Sequence, residues 1–310
     1  TEPNILYAQW TPKKYTITYD AEANGSITGT SSQTVPYGGS TTAVTAVPAE
    51  GYHFVKWDDG KTDATRHETN VTADATYTAS FAPNTNTAYK VEHYLQDLGA
   101  VTYTLKDTDN KTGTTGAQTV AEAKYYPGFT ALPFVQETIA ANGSTVVKIY
   151  YNRNSYTLTY KITGAYFAND AYATATYEFG AAVTAIANAS EQGYTFSGWA
   201  GVPATMPAEN VVATGSFTPN TDTAYKVEHY LQDLGAETYT LKDTDNLTGT
   251  TGAMTAAVAK SYEGFTVQGV VQQTTKGDGS TVVKIYYDRN SYTITYDAEA
   301  NGSITGTSSQ

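Results

Sequence analysis

Tyr89-Lys-Val-Glu-His-Tyr-Leu-Gln-Asp-Leu-Gly-Ala100 returns as Tyr225–Ala236, an offset of 136 residues (225 − 89). From Tyr89 to Asn110 only Val101 differs from its counterpart, Glu237. Further on, Ser144–Arg153 returns as Ser280–Arg289 at the same offset. Self-similarity at a fixed period is the signature of a module array, which supplies length or multivalency more often than one reaction centre. Within the stretch, Tyr89, Val91, His93 and Leu95 share a face of a period-two pattern, so it reads as a half-buried strand.

Around this B module the same pattern continues. A second strand is expected near Tyr103–Lys106, and Asp107-Thr-Asp-Asn-Lys-Thr-Gly-Thr-Thr-Gly116 has the composition of a loop. Thr119–Tyr126 is the one short helix candidate, closed by Pro127-Gly128. Strands are expected from Phe129 to about Glu137 and from Thr145 to Tyr151, hinged at Asn142-Gly143. The sister hinge is Asp278-Gly279.

A second module type, A, separates the B copies. It opens at Tyr15-Thr-Ile-Thr-Tyr19, which recurs at Tyr156–Tyr160 and Tyr292–Tyr296, with Tyr and Ile on one face and Thr on the other. Asn24-Gly25 is a hairpin signal. Gly51-Tyr-His-Phe-Val-Lys-Trp57 is matched by Gly193-Tyr-Thr-Phe-Ser-Gly-Trp199, and these rings are the expected core of so small a domain. Module ends share an aromatic followed by proline: Trp10…Pro12, Phe81…Pro83 and Phe217…Pro219. The reading is a tail of A at 1–12 with a short strand over Ile5–Trp10, then A at 13–83, B at 84–154, A at 155–219 and B at 220–290. The start of another A follows at 291–310, where Tyr292–Gln310 repeats Tyr15–Gln33.

The fold class expected is mainly β, of α+β, β-grasp-like small modules in a tandem array forming an elongated rod. Twenty-seven tyrosines, nine phenylalanines and abundant threonine favour strands. With no cysteine, neither disulfides nor thiolate metal sites can contribute. A net charge of −12 speaks against nucleic acid or an anionic membrane as partner. No apolar run reaches the length of a membrane helix, so no membrane insertion is expected of this segment.

Residues suited to catalysis or metal binding are sparse. His93 and His229 are one position counted twice, while His53 becomes Thr195 in the sister module, and no base–nucleophile set assembles. Asp107-x-Asp109-Asn110 begins like a calcium loop, but the third ligand position holds Lys111, or Leu247 in the copy. No lysine–asparagine spacing picks out an isopeptide pair. The expectation is no enzyme, no cofactor and no metal.

On these residues the A module, with Tyr-Thr-Ile-Thr-Tyr, Gly-Tyr-His-Phe-Val-Lys-Trp and the closing Leu6-Tyr-Ala-Gln-Trp10, resembles the Listeria–Bacteroides repeat family, also called internalin B-repeats. The B module, with Gly-x-x-Gly, Gly-Phe-Thr and a Val-Val-Lys-Ile-Tyr-Tyr ending, is similar to mucin-binding-protein-type repeats. The resemblance implies β-grasp-like modules on bacterial surface proteins, extracellular, with any anchor outside this segment.

Two functions compete. One is a stiff stalk projecting a distal adhesive domain. The other is a host glycan or mucin reader acting by avidity through Tyr94, Tyr125, Tyr126, Tyr230 and Tyr262. Residues 1–12 and 291–310 lack module partners, so either fraying or strand-edge contacts between copies is expected there.

Overall fold

The computed structural model describes residues 3–310. The chain divides into two compact units, Thr1–Ser155 and Tyr156–Gln310. Each contains one A and one B segment. Among the described residues every regular element is a strand.

In the first unit the A segment holds β1 (Lys14–Ala21), β2 (Gly25–Thr28), β3 (Ser32–Pro36), β4 (Val44–Pro48), β5 (Tyr52–Trp57), β6 (Thr65–Arg66) and β7 (Ala75–Pro83). Four of them form a sheet in the order β3-β1-β7-β5, and β2-β4-β6 form a second. β1 and β7 run parallel at the centre, with Ile17 opposite Ala75 and Ala21 opposite Ala79. The apolar faces of the two sheets meet: Ile17, Tyr19 and Ala79 pack with Val44, Ala46 and Trp57 in one core. Trp57 is wholly buried, and burying a large apolar side chain is worth about 1.5–3 kcal/mol. A register shift between Phe54 and Lys56 on β5 lets both Phe54 and Trp57 reach that core.

The B segment follows with β8 (Thr87–Gln96), β9 (Tyr103–Gly113), β10 (Phe129–Ala131) and β11 (Val146–Arg153), ordered β10-β11-β8-β9. Again the central pair, β8 and β11, is parallel. Tyr89, Val91, Val147, Ile149 and Tyr151 line the inner face, which is covered by Ala121, Tyr126, Phe134 and Ile139 from the connecting segment.

The second unit has β12 (Ser155–Thr163), β13 (Asn169–Glu178), β14 (Tyr194–Phe196) and β15 (Val211–Pro219), ordered β13-β12-β15-β14. Leu158, Tyr160 and Ala213 pack there beneath Met206 and Trp199, with irregular chain in place of a second sheet. Its B segment, β16 (Thr223–Gln232), β17 (Tyr239–Gly249), β18 (Phe265–Val267) and β19 (Val282–Arg289), repeats the first, down to the parallel β16–β19 pair.

The structure corrects several local expectations. Thr119–Tyr126 forms no helix and takes no regular structure. Its backbone is taken up elsewhere: Thr119 N–H donates to Glu137 O (2.8 Å), and the Gln136 amide both accepts from Ala121 N–H and donates to Ala121 O (2.8 Å each). Asp107–Gly113 is not loop but the second half of β9. The strand expected to reach Glu137 stops at Ala131. Of the strand expected over Ile5–Trp10, nothing forms: the segment has no sheet neighbour, and Leu6 and Trp10 are 96% and 91% exposed. Residues 291–310 hold one bridge, Thr295 to Ser309, where a hairpin is expected.

Candidate functional site

The outer face of each B sheet carries a row of tyrosines. Tyr94 and Tyr150 are directly opposed on the parallel β8–β11 pair and stack at 5.1 Å between centroids, 26° apart. Tyr103, from β9, meets Tyr150 edge-on at 5.1 Å. The Lys148 ammonium lies 5.7 Å from the Tyr94 ring centre. Tyr94 O–H donates to the Glu92 carboxylate at 2.6 Å, which with lesser desolvation pushes its pKa up to about 12. The arrangement recurs with Tyr230 on Tyr286 (5.3 Å), Tyr239 edge-on at 5.1 Å and Lys284 at 5.5 Å.

Of the five tyrosines singled out from sequence, Tyr94 and Tyr230 lie on this face. Tyr125 stands apart from it, 86% exposed. Tyr126 and Tyr262 are corrections: they turn inward, pack on the B cores, and donate their hydroxyls to Asp107 and Asp243 at 2.6 Å. Tyr103, Tyr150 and Lys148 were missed. The signal for Tyr150 was the alternation Lys148-Ile-Tyr-Tyr151, with Ile149 and Tyr151 inward. Tyr103 is placed by a bulge between His93 and Tyr94, which sequence does not announce.

Behind the sheet, His93 is fully buried. Tyr151 Oη accepts Lys124 N–H (2.8 Å) and lies 2.8 Å from His93 Nδ1. The arrangement that satisfies every group has Tyr151 donating to Nδ1 and Nε2–H donating to Asp109 Oδ2, 3.4 Å away. Lys124 Nζ closes the circuit on Asp109 Oδ1 at 2.6 Å. That hydrogen bond lowers the Asp109 pKa and raises that of Lys124. The pair is held ionised, the reverse of the neutral amine and acid that an amide crosslink needs. The same contacts join His229, Tyr287, Asp245 and Lys260. Asp107 and Asp109 are thus engaged with protein groups and lie on a strand rather than in a loop. Among the described residues no three His, Asp or Glu side chains gather as metal ligands.

A third arrangement joins A to B inside each unit. Gly51, in the left-handed region at φ 78°, accepts Asn84 N–H at 2.8 Å, and Asn84 O accepts Thr115 N–H at 2.9 Å. Thr115 Oγ1 is 2.7 Å from Thr87 Oγ1 at the start of β8. A Cβ on Gly51 would sit 2.7 Å from Ala141 Cβ, so the two modules touch backbone to side chain. In the second unit Asn220 N–H donates to Gly193 (2.8 Å), Thr251 N–H to Asn220 (2.9 Å), and Gly193 abuts Gly277.

These features sit in segments with known relatives. Residues 15–85 match the divergent InlB B-repeat domain family, and residues 156–224 match the Listeria-Bacteroides repeat domain family. Both A modules are internalin B-type repeats. Both matches run past the closing strand of their A segment into the A–B junction, through Asn84 in the first unit and Asn220 in the second. No curated protein matches the chain. Among solved structures, the Bacillus anthracis TIE protein is similar at 10% identity and a TM-score of 0.36, over 93% of this chain and 76% of that one. Domains 3-4 of Streptococcal High Identity Repeats in Tandem (SHIRT) from a cell surface protein are similar at 18% identity and a TM-score of 0.18, over 46% and 98%. At those scores neither likeness bears on function. The internalin B-type repeats make this chain a repeat region of the kind that surface proteins carry.

Proposed function

We propose that this repeat region is a spacer, a stiff extracellular stalk that holds a distal adhesive domain away from a bacterial cell surface and has no catalytic role. The observation that carries the reading is the duplicated A–B junction. A swinging linker needs Gly- or Ser-rich chain with few bonds. Here the connection starts at Pro83 or Pro219, is pinned by the same two backbone hydrogen bonds in both units, and is wedged by a glycine against the neighbouring module. The B-to-A connections, Asn152-Arg-Asn-Ser155 and Asp288-Arg-Asn-Ser291, contain neither glycine nor proline. A strand of ten residues spans about 33 Å, so four modules in line should reach about 130–150 Å. Small-angle scattering on the chain tests this. A maximum dimension near 70 Å, approaching a globule with a radius of gyration of about 20 Å, refutes the stalk.

A second reading has one specific observation in its favour, the solvent-facing stack of Tyr94 on Tyr150 with Lys148 beside it, present twice. Paired rings on a flat sheet suit the apolar face of a sugar, and two copies would add avidity. Titration with mucin glycans, following Tyr94 and Tyr230 by NMR, tests it. Unchanged signals at millimolar ligand end this reading.

A further inference from the structure

Three Asn-Gly steps occur in the described chain, at Asn24, Asn142 and Asn301. Glycine after asparagine leaves the following backbone nitrogen open to the side-chain carbonyl, because no Cβ shields it. What the structure adds is a difference among the three. Asn24-Gly25 and Asn301-Gly302 share the same neighbours, Tyr-Asp-Ala-Glu-Ala before and Ser-Ile-Thr after, and both asparagines have left-handed φ (72° and 75°). Yet Gly25 belongs to β2, is registered opposite Pro48, and lies directly under the Phe81 ring. Gly302 is in an exposed turn, held by one bond from its N–H to Glu299 O at 3.1 Å. Gly143 resembles Gly302: a turn glycine whose N–H meets Ala140 O at 3.0 Å, with Ala88 O the nearest atom, 3.5 Å from where its Cβ would be.

We propose that Asn142 is a site of spontaneous covalent modification by water. The Gly143 nitrogen bonds to the Asn142 side-chain carbonyl carbon, the bond from that carbon to Nδ2 breaks, and the amide proton leaves with the nitrogen as ammonia. Water then opens the five-membered imide at either carbonyl, giving aspartate or isoaspartate. The chain itself holds the aspartate product in the same setting. Asp278-Gly279 occupies the equivalent turn, with Gly279 at φ 75° against 72° for Gly143. Asn142 Oδ1 accepts Ser144 N–H at 3.1 Å, and Asp278 Oδ1 accepts Ser280 N–H at 2.9 Å. The backbone bond from Ser280 holds the Asp278 carboxyl below the usual range, so this turn favours a carboxylate. Modification at Asn142 therefore converts the first B module toward the charge of the second, one residue from Ala141 at the A–B contact.

Peptide mapping by mass spectrometry on the intact chain, aged in mildly alkaline buffer, tests the assignment. Peptides carrying Asn24 and Asn301 differ beyond the shared stretch, so each site reads separately. Asn142 and Asn301 should convert at comparable rates. Asn24 should be slower than Asn301 by about ten-fold or more, since attack at Gly25 first requires local opening beneath Phe81. Phe81→Leu should narrow that gap, and Asn142→Asp should fold as the parent does. An Asn142 that persists while Asn301 converts overturns the proposal. So does an Asn24 that keeps pace with Asn301 in the unaltered chain, a comparison that needs no variant.

Discussion

Ala141 fills the space that a side chain on Gly51 would require, its Cβ lying 2.7 Å from where a Gly51 Cβ would be. Gly51→Ala should therefore destabilise the first unit twice over. A left-handed φ costs about 1–2 kcal/mol for a residue with a Cβ, and the collision adds to it. Pairing it with Ala141→Gly should recover only part of the collision cost, because Ala141 Cα at 2.8 Å and Thr115 Oγ1 at 3.0 Å still crowd the same position. Urea denaturation of the parent, the single and the double variants measures that recovery.

The two A modules treat one tyrosine differently. Tyr19 Oη is 2.8 Å from Thr41 Oγ1, whereas the buried Tyr160 hydroxyl makes no hydrogen bond in the structure. Tyr19→Phe should cost about 0.5–1.5 kcal/mol, and Tyr160→Phe should be neutral or stabilising, because it deletes an unsatisfied polar group. Denaturation midpoints of the two variants check this. Equal losses would mean that the Tyr160 hydroxyl finds a partner.

Acid should weaken the B modules through Asp109 and Asp245. The lysine hydrogen bonds from Lys124 and Lys260 lead in lowering both carboxyl pKa values. A depressed carboxyl stabilises the fold fully above its unfolded value, about 3.9, and that contribution fades as pH falls through the folded value. Stability should thus drop below about pH 4. Lys124→Met together with Lys260→Met should flatten that drop, as read from denaturation at a series of pH values.

Tyr94 should keep its proton unusually late. Its hydroxyl hydrogen bond to Glu92 leads in raising the pKa to about 12. Glu92→Gln removes the carboxylate charge and should bring the titration down toward the ordinary tyrosine value of about 10. Ultraviolet titration of tyrosinate, or NMR of the labelled ring, reads the shift directly.

Much of this was legible in the chain because the central strands have one wet and one dry face. The alternation in Tyr15–Tyr19, Tyr89–Leu95 and Val146–Tyr151 follows from that, and those segments are strands as read. Asp107–Gly113 hid because its composition is that of a turn, while the partners that make it a strand, β8 and Lys124, are distant in sequence. Thr119–Tyr126 hid for a related reason. Its short-range pattern suits a helix, but Gln136 captures Ala121 from fifteen residues away. At the candidate site Tyr94 was visible by alternation. Tyr126 was misread as outward because its inward turn depends on Asp107 across the module.

Each of the four modules sets its first and last long strands side by side and parallel, β1 with β7, β8 with β11, β12 with β15 and β16 with β19. In such a pair the chain enters at one end of the ladder and departs at the other. Tension along the polypeptide then pulls the two strands past each other lengthwise, and their hydrogen bonds must fail together. An antiparallel terminal pair would instead peel open one bond at a time. This strand order makes each module a lap joint, loaded in shear, in whatever direction the whole chain is drawn.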